Sequence, residues 1–325
     1  MINEYQIADF LGRLEQLNGV HAVTFNRGKA RGMQALRVYT QAGLSLLITP
    51  DRGLDIPELK VRGNNIAFMA SPGLVNSTYF VEDHARGFMR NFTVGFLTTG
   101  GLSYMGAAPV DSPQGLHGVI ANTPAENFDY VVKPELITIT GDVREAEMFG
   151  PNLILHRCIK IATQANVIEV HDVVENQGPQ RQSLMMLYHT NFGYPFFSPA
   201  TRIDMKPTSS YYRSGVPTDD WNTFTSPQRA AQEVVYYHDL PLGRVIVKSP
   251  TTGLQLKLTY SRDTLPVLNQ WKLQQTHNYV LGIEPATNNV NGFDQAKKEQ
   301  TLEYLEPGEQ RTFDLSYEFT PLEGK

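Results

Sequence analysis

Apolar residues in this chain recur at every second position in short runs and almost nowhere at the spacing of a helix. Val167-Ile168-Glu169-Val170-His171-Asp172-Val173-Val174, Leu136-Ile137-Thr138-Ile139-Thr140 and Gly253-Leu254-Gln255-Leu256-Lys257-Leu258-Thr259-Tyr260 show the pattern, and Gly, Pro, Asn or Asp bound such runs. Period two puts alternate side chains on opposite faces of a strand, so each run has one face to bury. No strand–helix–strand alternation recurs, which excludes a doubly wound parallel sheet. Strands spaced this closely suit antiparallel sheets stacked face to face. Helical spacing is confined to residues 4–12, through Ile7, Phe10 and Leu11. There is no repeat, low-complexity tract, charge run or Pro/Ser-rich linker. The expectation is all-β: one large antiparallel β-sandwich domain over residues 1–325, with a short N-terminal helix.

Composition narrows the partners. Of 325 residues, 41% are hydrophobic, ample for a core, and the net charge is -5. Without a basic field to draw phosphate, neither nucleic acid nor an anionic membrane is an expected partner. No run approaches the roughly 20 apolar residues of a membrane helix, and the first residues lack a signal-peptide pattern, so the cytoplasm is the expected location. Cys158 is the only cysteine. It lies in an alternating run and reads as a buried, inert thiol. The histidines are dispersed, without paired spacing, and no phosphate loop, dinucleotide fingerprint or Gly-x-Ser-x-Gly elbow occurs, so no metal or cofactor is expected. A metal could be held only by distant residues such as His84, His117 and His238.

Two segments carry the sharpest chemistry: Tyr188-His189-Thr190-Asn191-Phe192-Gly193-Tyr194-Pro195 and Tyr279-Val280-Leu281-Gly282-Ile283-Glu284-Pro285-Ala286-Thr287-Asn288. Each sets one titratable group at the end of an apolar run. An imidazole and a carboxylate brought into one cleft can act as acid and base near neutral pH. Glu284 is either partly desolvated, with its pKa raised, or a strand-end residue facing water. Asn288, Asn289 and Asn291 follow it and could read hydroxyl groups. His117 lies between glycines in Gly115-Leu116-His117-Gly118, where the backbone can approach a ligand closely. Arg90 could donate to a ligand hydroxyl or pair with a surface acid. Pro50-Asp51-Arg52-Gly53-Leu54-Asp55 reads as an internal Asp–Arg lock. Tyr236-Tyr237-His238-Asp239 offers a carboxylate for sugar hydroxyls. Aromatics such as Tyr211, Trp221 and Trp271 could stack on sugar faces or fill the core.

Taken in order, the Arg90-Asn91 element, the Leu116-His117-Gly118 turn, the His189-Thr190-x-Phe192 strand end and the late strand carrying Glu284 resemble the aldose 1-epimerase, or galactose mutarotase-like, family over essentially the whole chain. The Pro-Asp-Arg-Gly-Leu-Asp, Gly-Leu-His-Gly and Gly-Ile-Glu-Pro-Ala-Thr-Asn motifs look like those of a divergent bacterial branch. The resemblance implies Glu284 as general base and His189 as general acid. It implies a binding set of His117, Arg90, Asn91, Asn288 and either Asp239 or His238. Two departures stand out: Arg90-Asn91 inverts the family's Asn-Arg order, and the substrate-binding aspartate has no clean counterpart. The implied activity is interconversion of α and β anomers of a free sugar, with no metal or cofactor. The implied partner is a small-molecule sugar, and a homodimer stays open. A keto-sugar or uronate isomerase using the same pair, or a non-catalytic carbohydrate-binding sensor, are the alternative readings.

Overall fold

The structure, a computed structural model, describes residues 9–110, 112 and 114–322. Two antiparallel sheets of twelve and eight strands dominate it. The larger runs, edge to edge, through Gly19–Thr24, Gln34–Tyr39, Leu44–Thr49, Asp55–Val61, Leu97–Leu102, Gln182–Phe192, Asn278–Ala286, Val267–Gln275, Val234–Asp239 and Ser209–Tyr212, with two short strands off this path. The smaller runs through Arg202–Asp204, Arg244–Ser249, Leu254–Tyr260, Gln310–Pro321, Val167–Asn176, Asn152–Ala162, Leu136–Ala146 and Ala125–Val132. The sheets meet in a continuous apolar core. This is the antiparallel sandwich that the alternation predicts. The helix expected over residues 4–12 falls mostly outside the described residues; residues 9–12 form turn and bend. Among the described residues no helix is long and apolar enough to cross a membrane.

Alternation decides which side chains face which way. Along Gln182–Phe192, Leu184, Met186, Tyr188 and Phe192 enter the core between the sheets. Met185 and Leu187 join a second apolar cluster on the opposite face of the large sheet. His189 falls on that second face by parity. Asn278–Ala286 behaves likewise: Tyr279, Leu281 and Ile283 enter the core, while Ala286 joins the second cluster and Glu284 shares its face.

The inter-sheet core contains one charged cluster. The Arg157 guanidinium, fully buried, donates to Asp172 through Nε and Nη2, to Asp55 Oδ1 and the Gly53 carbonyl through Nη1, and to Thr99 Oγ1. Tyr188 donates its hydroxyl to Asp172. Asp55 therefore locks onto Arg157 rather than onto its neighbour Arg52, whose guanidinium donates to the Val75 carbonyl. Cys158, adjacent to Arg157 and so on the outer face of the small sheet, is half-buried rather than core, with its thiol pKa raised by burial.

Candidate active site

His189 and Glu284 lie on neighbouring strands. The pairs Leu187–Ala286 and Thr190–Ile283 bracket them, so the two residues face each other directly across the ladder. His189 Nε2 is 3.3 Å from Glu284 Oε1, and the side chains are 7% and 3% exposed. Neither Glu284 Oε1 nor His189 Nδ1 has a well-aligned hydrogen bond among the described residues.

A wall of rings closes round the imidazole. Phe92 and Trp271 lie 5.5 Å from it, both edge-on, and His117 lies 5.8 Å away at 86°. The helix His84–Asn91 caps this side, its Phe88 ring 5.3 Å from His117. His117 takes a left-handed backbone, φ 61°, between Gly101 and Gly106: its carbonyl accepts from Gly101 N–H and its own N–H reaches the Gly106 carbonyl. The next residue, Gly118, also needs φ 76°, and a Cβ there would meet the Gly101 carbonyl oxygen at 2.1 Å. The turn is thereby held against the large sheet, and His117 Nδ1 is shut off from solvent without a partner.

Burial sets the protonation states. It drives Glu284 well above the ordinary carboxyl range, helped by the Glu233 carboxylate. It lowers His189 to about 3, helped by His117 and opposed by Asn191. It lowers His117 to about 4, helped by the Arg213 charge. Burial thus favours the uncharged arrangement, a carboxyl beside a neutral imidazole, with one titratable proton between the two. The charged arrangement, carboxylate and imidazolium, differs from it by a single proton transfer.

The hollow over this pair has a cavity volume of about 100 Å³ and opens to solvent. Its wall adds Arg213, Glu233 and Val290 to the rings. Arg213 is fixed at Nε by Asn291 Oδ1, and Glu233 accepts from Trp271 Nε1. Among the described residues no group of three or more His, Cys, Asp or Glu could hold a metal ion, so His84, His117 and His238 do not assemble into a metal site.

Three of the expected site residues, His117, His189 and Glu284, converge here. The rest do not. Arg90 is exposed and pairs with Asp83 at 3.4 Å. Asn91 is buried and donates to the Gly87 carbonyl of its own helix. Asn288 is buried and anchors Thr301. His238 faces away from the hollow, its Nε2 donating to Gln270 Oε1 while Nδ1 accepts from Ser210 Oγ. Asp239 is exposed, pairs with Arg262, and lines a neighbouring hollow. The arginine that does line the site is Arg213, which the sequence left unmarked, as it did Glu233. Arg213 and Glu233 both lie outside regular strands, where alternation gives no facing.

A two-sheet antiparallel sandwich of this kind has the galactose mutarotase-like fold, here with a His–Glu pair on the outer face of its larger sheet. The solved structures it resembles agree on that fold. The "putative aldose 1-epimerase" of Klebsiella pneumoniae subsp. pneumoniae MGH 78578 superposes with a TM-score of 0.83 at 23% identity, over 92% of this chain and 83% of that one. A galactose mutarotase-like protein from Clostridium acetobutylicum gives 0.68 at 13% identity, over 94% and 99%. Galactose 1-epimerase from Lactobacillus acidophilus NCFM gives 0.63 at 13%, over 94% and 99%. Residues 30–319 match the family model described as Domain of unknown function (DUF4432), and the chain belongs to that family. No curated protein is a significant match.

Proposed function

We propose that the protein is an aldose 1-epimerase, interconverting the α and β anomers of a free sugar by opening and reclosing its ring. The observation that carries this reading is the 3.3 Å His189–Glu284 pair, both residues lining one hollow, with Glu284 Oε1 left without a well-aligned partner. Each unpaired buried atom costs about 1–3 kcal/mol, a cost that ligand hydroxyls would relieve.

Hydroxyls entering the hollow solvate the charged arrangement, so the shared proton moves to His189 and leaves Glu284 as carboxylate. Glu284 takes the proton from the anomeric hydroxyl while His189 gives its own to the ring oxygen. The C1–O5 bond breaks, the anomeric oxygen becomes the aldehyde carbonyl, and the pair again holds one proton. Rotation about C1–C2 presents the other carbonyl face. The same groups in reversed roles then reclose the ring. His117 adds its ring to the wall beside the pair, and Trp271 offers a face to the sugar C–H groups.

Anomer-resolved NMR over a panel of free sugars tests this. Glu284→Gln is expected to lower the rate of α/β exchange by about 10²–10⁴-fold with the fold kept. Unchanged exchange would remove Glu284 from the chemistry.

A further inference from the structure

A second, larger hollow adjoins the first. It has a cavity volume of about 560 Å³ and is lined by Tyr211, Arg213, Tyr237, Asp239, Asn291 and Gln295, among others. Arg213 belongs to both walls. The sheet sets the two side by side on one face. Tyr211 pairs with Tyr237, Tyr237 with Asn269 and Asn269 with Glu284, so these side chains form one row across adjacent strands on the face that bears His189. Two strand spacings separate Tyr237 from Glu284, roughly 10 Å.

The septum between the hollows is the loop after the Glu284 strand. Val290 lines the inner hollow, while Asn289 and Asn291 line the outer. Asn269 ties that loop down, donating to the Asn288 carbonyl and accepting from Val290 N–H. Asn291 Oδ1 accepts from both Tyr237 Oη and Arg213 Nε, so the divide is a fixed polar post rather than a closed wall.

The chemistry of the outer hollow is that of a polyol site. Tyr211 is exposed and stands beside Tyr237, giving phenol surface to C–H faces. Asp239, 55% exposed, and the amides of Asn289 and Gln295 offer acceptors and donors to hydroxyls. The carboxylates of Asp239 and Glu299 disfavour an acidic unit there.

We propose that this outer hollow is a subsite for a second, neutral sugar unit, so that the preferred substrate is a reducing disaccharide or longer oligosaccharide whose reducing end enters the His189–Glu284 hollow. The inference rests on the epimerase reading and names its substrate class.

Anomer exchange is measured by NMR for aldohexoses and for reducing disaccharides built on them, such as maltose, cellobiose, lactose and melibiose. At least one disaccharide is expected to exceed its reducing-end monosaccharide in kcat/KM by about tenfold, the worth of one or two hydrogen bonds. In Asp239→Ala and Tyr211→Ala that ratio is expected to collapse toward one. Both side chains are exposed, so folding is checked simply by an unchanged melting midpoint. Turnover of monosaccharides without any disaccharide advantage overturns the subsite and leaves the epimerase standing, as does an advantage retained in both variants. Failure to turn over any sugar overturns the epimerase reading, and the subsite falls with it.

Discussion

Gly282 decides where the Glu284 carboxylate can lie. The two residues share a face of the strand, and a Cβ at 282 would stand 2.3 Å from Glu284 Oε1 and 3.2 Å from the Trp271 Cβ. Position 282 has no positive φ among the backbone exceptions, so alanine is allowed by the main chain. The strain falls on the carboxylate instead. Gly282→Ala is therefore expected to fold, with a midpoint within a few degrees, while α/β exchange drops by about 10²-fold because the base leaves its position. Exchange at the parent rate would show that Oε1 is not the reacting atom. The Nδ1 atoms of His117 and His189 are likewise buried without a hydrogen-bond partner among the described residues, each ring being held by its aromatic neighbours.

At the scale of elements, the strand Gln182–Phe192 serves two masters. Its Tyr188 hydroxyl closes the buried cluster between the sheets, and the next residue is His189 on the other face. Arg157 joins the strands Asn152–Ala162 and Val167–Asn176 of the small sheet to Asp55 and Thr99 of the large one. Removing the cation leaves buried Asp172 and Asp55 facing each other without compensation. Arg157→Met is expected to lose about 3–5 kcal/mol in urea unfolding, and Tyr188→Phe about 1–2. An Arg157→Met variant of parent stability would mean that the cluster contributes nothing net. The same parity explains what sequence could and could not disclose. Alternation marks strands well, but it sets His189 and Glu284 where strands would stop, whereas the strands run on to Phe192 and Ala286. It cannot say which face of Tyr236-Tyr237-His238-Asp239 turns to the hollow, and a one-residue difference sends His238 to the back. Arg90 stood out beside Asn91 in a motif, yet the helix points it to solvent. Arg213 carried no pattern at all, and only the fold brings it to the site. The internal Asp–Arg lock expected of Pro50–Asp55 does not form: Arg52 donates to the Val75 carbonyl, and Asp55 closes instead on Arg157, 102 positions away, which no local pattern encodes.

For the whole molecule, burial of titratable groups shapes the response to acid. His117 and His238 are lowered to about 4 and His189 to about 3, each chiefly by burial. As pH falls below about 6.5 the unfolded chain binds protons at these histidines and the folded chain does not, so stability falls. Asp55, pushed up to about 6 by burial, and Glu284 act in the opposite sense, since the folded state holds their protons first. Three histidines outweigh two carboxyls by one proton. Between pH 6 and 4.5 the histidines are expected to prevail, so that urea midpoints fall as the pH falls. A flat or rising profile would mean that the imidazoles are not dry.

The rung shared by His189 and Glu284 has a last consequence. Their separation is set by the spacing of two hydrogen-bonded backbones, not by a flap that must swing shut. Whatever reaction the couple performs, its machinery is assembled as soon as the sheet is. The proposed catalyst would then have no half-made form, and heat would silence it by melting the scaffold.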